Sequence, residues 1–247
     1  MSLRRVILST LLALTVITMG CGPTPEKLAS KANYHYKLAN NFFYDQNPQA
    51  AIKELYAVLE YAPQHARAHH LLGFIYFGRR DLTRALEHLR TAVAIEPDFD
   101  DAVANLGNLY LAMKQWEAAT VYFTRLLEKP MYKTPYLAHN NLGWALYQLG
   151  RFEESRKHLE MGIFLNPKFC LAYNNLARLN AHLGETKLAV EHFSKAIKLC
   201  PQYAEPHYFL GRIHAGLASH TKAREHFSRC HELGPETPYG RRCGEAL

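Results

Sequence analysis

Fourteen histidines and five cysteines are the residues of this 247-residue chain with the widest chemistry open to them. Imidazole ligates metals and moves protons near neutral pH, and thiolate attacks, binds metal or pairs into disulfides. Their spacing argues against most of these uses. No two cysteines form C-x-x-C, so neither a zinc ribbon nor a thioredoxin-like redox motif is expected. His65 and His69 are four residues apart and share a helical face, but the adjacent His70 points elsewhere and no third ligand is near. The chain has no H-E-x-x-H, no Gly-rich phosphate loop, no G-x-S-x-G and no calcium-loop pattern. The expectation is a protein without a catalytic centre, cofactor, metal or small-molecule substrate.

What positions the histidines is a repeat. His35, His69, His139 and His207 fall in one phase of it, and His88, His158, His192 and His226 in another. Small residues mark the same register: Ala39, Gly73, Gly107, Gly143, Ala177 and Gly211, then Ala51, Ala85, Ala119, Ser155, Ala189 and Ala223. Both series step by 34, 34, 36, 34 and 34 residues, and Pro63, Pro97, Pro167, Pro201 and Pro235 keep time with them. A period in this range belongs to stacked supersecondary units. Eight of the fourteen histidines are thereby read as packing or surface decoration, because each lies about one repeat from its copy.

Each unit carries two apolar stripes at helical spacing, such as Leu72, Ile75 and Tyr76, then Leu82, Ala85, Leu86 and Leu89. Small residues at the eighth and twentieth positions let two helices approach closely, and the proline near position 32 ends the second. Gly78, Gly150 and Gly184 are expected at the turn between the helices, where a left-handed conformation suits glycine. The pattern resembles the tetratricopeptide repeat, seen well in His69, Leu72, Gly73, Tyr76, Ala85, Leu89, Ala92 and Pro97. That resemblance implies an all-α fold, a right-handed superhelical solenoid of six helix-turn-helix repeats with a concave binding face. The repeat domain is read as 32–235, with units near 32–65, 66–99, 100–135, 136–169, 170–203 and 204–237, and a tail at 238–247.

The first residues are of another kind. Arg4 and Arg5 precede a 14-residue apolar run, Val6 to Met19, short of the roughly 20 residues that span a bilayer as a helix. Gly20-Cys21 follows, and the segment is similar to a bacterial lipoprotein signal, which implies lipidation at Cys21 with residues 1–20 removed. Such lipoboxes prefer Leu where this chain has Thr18; an ordinary cleaved signal or an uncleaved anchor is the alternative. Residues 21–31, with Gly-Pro-Thr-Pro directly after Cys21, are read as the lipidated N-terminus and a tether. Gly22 is not the aspartate that retains similar lipoproteins at the inner membrane, so an outer-membrane address with the repeats in the periplasm is expected. Removing Arg4 and Arg5 takes the net charge from +7 to +5, and the remaining cations are scattered through every repeat, so no nucleic-acid partner is expected. No second hydrophobic segment follows, and the repeat domain is expected to be soluble.

Cys170 opens the first helix of the fifth unit and Cys200 ends its second, so an antiparallel hairpin brings them together. In an oxidising periplasm that pair could bridge, and Cys230 with Cys243 could pin the tail. Four cysteines allow three pairings, and unpaired buried thiols are the alternative.

Positions 2, 5, 9 and 12 of each first helix form the stripe opposite the packed one, and in tetratricopeptide proteins it lines the groove. Here it places Tyr36, Phe43, Phe74 and Phe77, with Tyr44 beside them, in the first two units, and Trp144 with Tyr147 in the fourth. Asn108, Asn140, Asn174 and Arg178 run between and beyond, suited to an extended backbone. Large apolar residues on a wet face mark an interaction site; the alternative is that the rings pack on one another or on residues 22–31. His70 and Phe74 occupy two sites where an Hsp90-type carboxylate clamp needs Lys and Asn.

A lipidated cysteine followed by six repeats, with the lengthened junction Glu128–Pro135 between the third and fourth, resembles the pilotin lipoproteins of type IV pilus systems, the PilF, PilW and Tgl group. The resemblance implies an outer-membrane lipoprotein whose partner is the secretin subunit, which it helps to insert and multimerise for pilus biogenesis and motility. The other reading is a periplasmic scaffold for peptidoglycan enzymes.

Overall fold

The computed structural model describes residues 24–247; the signal segment and Cys21 lie outside the described residues. Helices follow one another as α1 (Pro25–Tyr44), α2 (Pro48–Tyr61), α3 (Ala66–Gly78), α4 (Leu82–Ile95), α5 (Asp100–Ala112), α6 (Trp116–Leu127), α7 (Pro135–Gln148), α8 (Phe152–Leu165), α9 (Cys170–His182), α10 (Thr186–Leu199), α11 (Ala204–Gly216), α12 (His220–Leu233) and α13 (Pro238–Gly244). Each odd helix from α1 to α11 packs on its successor as a hairpin, and the hairpins stack into an all-α solenoid closed by α13. None of the described helices is long and apolar enough to cross a membrane.

The in-phase small residues are where the two helices of a hairpin touch. A Cβ at Gly73 would lie 2.6 Å from Leu89 Cγ, at Gly107 2.9 Å from Phe123 Cζ, at Gly143 2.8 Å from Leu159 Cγ and at Gly211 2.6 Å from Phe227 Cε1. No real Cβ sits so close, so these positions set the interaxial distance. Leu55, Leu89, Phe123, Leu159 and Phe193 fill the space left and are essentially unexposed.

The turn differs from the expectation at Gly78, which ends α3. The left-handed residue comes two positions later, at Arg80 (φ 61°), and its equivalents are Gln46, Lys114, Gly150, Gly184 and Ala218. Glycine therefore occupies the left-handed position in only two of six repeats. The junction that lengthens the period is tied back by Lys129, whose Nζ lies 2.6 Å from Asp100 and 2.9 Å from Asp98 at the start of α5. Tyr132 packs on the core from this loop, and α7 starts at Pro135.

Two segments read as loose are helical. Residues 25–31 belong to α1, because Thr24 caps the first turn through its hydroxyl (3.3 Å from Lys27 N) and Pro25 and Glu26 suit a helix start. Thr24-Pro25 is thus a helix start. In the tail, Thr237 accepts from Gly240 N at 3.0 Å, α13 follows, and Cys243 is bonded to Cys230 with Cα atoms 6.0 Å apart. Cys170 is bonded to Cys200 with Cα atoms 6.1 Å apart, across the foot of the α9–α10 hairpin.

Candidate partner-binding groove

The first helices of repeats one and two present an aromatic edge. Phe74 on α3 is 42% exposed and meets Phe43 on α1 edge-on, ring centroids 5.8 Å apart; Tyr44 beyond it is 78% exposed. Tyr36 packs against His65 at 4.9 Å. Beside them a hollow of about 630 Å³ opens between Phe74, Phe77, Gly78, Arg80, Leu82 and Ala112. Phe43 and Phe77 are half-buried against the core, so the rings do partly pack on one another, and Phe74 and Tyr44 keep open faces.

Toward the middle the groove floor is a ladder of amides. Asn105 Nδ2 donates to His70 Nε2 (2.8 Å), Asn141 Nδ2 to Asn108 Oδ1 (2.8 Å), Asn140 Nδ2 to Asn141 Oδ1 (2.9 Å) and Asn175 Nδ2 to Asn140 Oδ1 (2.9 Å). Here the structure corrects the sequence reading. Asn140 (4% exposed) and Asn174 (fully buried) do not line the open groove; Asn140 is met by Asn175, at position 6 of the next repeat's first helix. The residues missed were those at position 6, Asn105, Asn141 and Asn175. The recurring Asn140-Asn141 and Asn174-Asn175 pairs, one repeat apart, are the signal that could have found them. Both amide atoms of Asn174 are buried without a partner, and leaving such a group dry costs about 1–3 kcal/mol.

A second aromatic cluster closes the C-terminal half. Trp144 and Tyr147, one turn apart on α7, stack at 5.2 Å. The Arg178 guanidinium lies 4.2 Å from the Trp144 ring centroid and 5.0 Å from that of Phe209, and pairs with Glu205 at 2.8 Å. Tyr203 donates to the other Glu205 oxygen at 2.9 Å, and burial, helped by that carboxylate, pushes the Tyr203 hydroxyl far up. A cleft of about 420 Å³ lies between Tyr147, Arg178, His182, Phe209 and Arg212.

The histidines are not isolated decorations. Position 4 of a first helix meets position 23 of the second within one hairpin: His69 and His88 are 3.0 Å apart between Nδ1 atoms, His139 and His158 2.9 Å, His207 and His226 3.0 Å. In the first repeat Glu54 replaces the second imidazole and accepts from His35 Nδ1 at 2.6 Å. The second repeat fixes its own tautomers. His69 Nε2 donates to Pro63 O (3.1 Å), so its Nδ1 accepts from His88, whose Nε2 is left to accept from Tyr56 (3.4 Å). Burial first, then the facing imidazole, lowers His139 and His207 to about 4. His65 caps α3 through Nδ1, accepting from Ala68 N at 3.0 Å.

Residues 76–130 match one tetratricopeptide repeat model, and residues 136–169 and 170–203 match another. Among curated protein sequences none matches the chain significantly. Among solved structures it is similar to PilW, a widely conserved type IV pilus biogenesis factor, with TM-score 0.75 and 23% identity over 85% of this chain and 97% of that one. PilF of Pseudomonas aeruginosa aligns with TM-score 0.71 and 18% identity over 89% and 99%. A MamA protein aligns with TM-score 0.62 and 20% identity over 72% and 96%. At these identities the likeness is one of fold.

Proposed function

We propose that this tetratricopeptide-repeat chain is an outer-membrane lipoprotein of the pilotin kind, anchored through Cys21, that holds a segment of the secretin subunit and promotes its assembly for type IV pilus biogenesis. The near end-to-end match to PilW and PilF carries this reading. The repeats themselves are a protein-interaction scaffold, and no catalytic family matches.

The aromatic hollow supplies the mechanism. Each apolar anchor buried there stabilises a complex by about 1.5–3 kcal/mol. Association itself costs about 4–15 kcal/mol, so the few anchors that Tyr36, Phe43, Phe74 and Phe77 can receive give a reversible grip, suited to an escort. The lipid keeps that grip at the inner face of the outer membrane, since more than one acyl chain makes anchoring stable.

Replacing Tyr36, Phe43 and Phe74 by Ser should abolish heat-stable secretin multimers in cells. Because Tyr36 and Phe43 also touch the core, Phe74→Ser alone is the control for folding and should reduce multimers without shifting the melting curve. Normal multimers in both would sink the groove assignment. Cys21→Ala should move the protein out of the membrane fraction. A pull-down from envelope extract should recover secretin; murein hydrolases in its place would overturn the reading in favour of a peptidoglycan scaffold.

A further inference from the structure

Among the described residues, the buried side-chain polar atoms without a hydrogen-bond partner both belong to Asn174. One repeat earlier, Asn140 is satisfied on both sides, by Asn141 and by Asn175 of the following helix. The residue that would complete the same arrangement for Asn174 is Phe209, in phase with Asn175 and unable to donate or accept. The amide ladder therefore stops with one rung open. Arg178 lies one helical turn on along α9, and residues four apart share a helical face, so its side chain leaves the helix on the same side as Asn174. That guanidinium is held by Trp144, Phe209 and Glu205. The cleft beside it is lined by Tyr147, Arg178, His182, Phe209 and Arg212, and no carboxylate lines it. Arg212 is exposed and has no ion-pair partner among the described residues.

We propose that this cleft is a second holding point, for an extended protein segment that carries a carboxylate next to an aromatic ring. Charge complementarity selects the carboxylate: Arg212 receives it, and it competes with Glu205 for Arg178. As Arg178 swings, the Asn174 amide is uncovered and takes a main-chain N–H and C=O of the segment, the donor–acceptor pair it lacks. The ring lies against Phe209 and Tyr147. The inference rests on reading the groove as a holder of an extended segment, and adds the chemistry of what its C-terminal half recognises.

Of the chain's two tryptophans, Trp144 packs on Arg178 and Tyr147, which line the cleft, so Trp116→Phe leaves it as sole tryptophan reporter. The purified full-length chain in detergent is titrated with the peptide acetyl-Asp-Phe-Asp-Phe-Asp-Phe-amide and with its Asn-for-Asp counterpart. A saturable change in Trp144 fluorescence with the acidic peptide is expected, at least tenfold weaker with the neutral one. Arg212→Glu and Asn174→Leu should each weaken it at least tenfold. Asn174→Leu should melt no lower than its parent, because an isosteric apolar side chain removes an unpaired buried amide. A lower melting temperature would show Asn174 to be structurally paired and would overturn the proposal, as would unchanged binding by either variant or equal binding of the two peptides. Secretin capture without a peptide response removes this site and leaves the pilotin reading in place; a peptide response without secretin capture does the reverse.

Discussion

The histidine pairs are the residue-scale feature with the clearest solution consequence. Two imidazoles with nitrogens about 3 Å apart share one proton in the contact, and burial works against a charge on the groups it reaches. His88, His158 and His226 are lowered by burial, as are His139 and His207, both to about 4. Well above pH 6.5 the folded and unfolded chains both carry these groups neutral, and they have no proton-linked effect. As pH falls from 6.5 toward 4 the unfolded chain binds protons that the folded chain refuses, so stability falls across that window. The melting temperature should therefore decline between pH 6.5 and 4.5, and His139→Phe with His158→Leu should make the decline shallower, leaving the part that His88, His207 and His226 contribute. An equally steep decline in that double variant would show that other groups drive it. The pairs were hidden from the sequence because each partner recurs at 34 residues, whereas the contact spans 19 within a hairpin. Periodicity reports copies of a position, not which position it meets.

At the scale of the element, the hairpin is defined by a close contact and a sharp turn. The contact at Gly211 leaves no room for a side chain, since a Cβ there falls 2.6 Å from Phe227. Gly211→Val should destabilise the last hairpin by about 1–3 kcal/mol through overpacking. The turn offers the opposite change. Ala218 sits at φ 54°, a conformation that disfavours a Cβ by about 1–2 kcal/mol. Ala218→Gly relieves this, offset by glycine's greater loss of chain freedom, and should stabilise by about 0.5–1 kcal/mol. Denaturant melts of the two variants should move in opposite directions. The close-contact positions were legible because nothing but a small residue can stand there. The left-handed position was not, since Gln46, Arg80 and Lys114 occupy it at a tolerable strain and Gly78 lies two residues too early.

For the whole molecule, stability in a stacked array is a sum of local units and their interfaces, so its ends can open independently. Both disulfides lie in the C-terminal third, Cys170–Cys200 across one hairpin and Cys230–Cys243 clasping α13. Closing loops of this size stabilises by about 3 kcal/mol each. Reduction should raise amide exchange in α9–α13 while α1–α8 keep their protection; uniform loss would mean that the array unfolds as one body. The chain's length and its 34-residue phase were enough, by themselves, to determine an all-α stack of six hairpins, because an amphipathic hairpin of that period buries its apolar stripes only against its own copies. They also picked out aromatic rings on the unpacked stripe. Only the tertiary structure decided which groove positions are open. Helical periodicity gives the angle of a side chain about its own axis, but whether position 5 meets water or an amide depends on how the next helix is rotated against it. That rotation satisfies Asn140 with Asn175, puts Phe209 at the position in phase with Asn175, and leaves Asn174, among the described residues, as a buried amide without a partner.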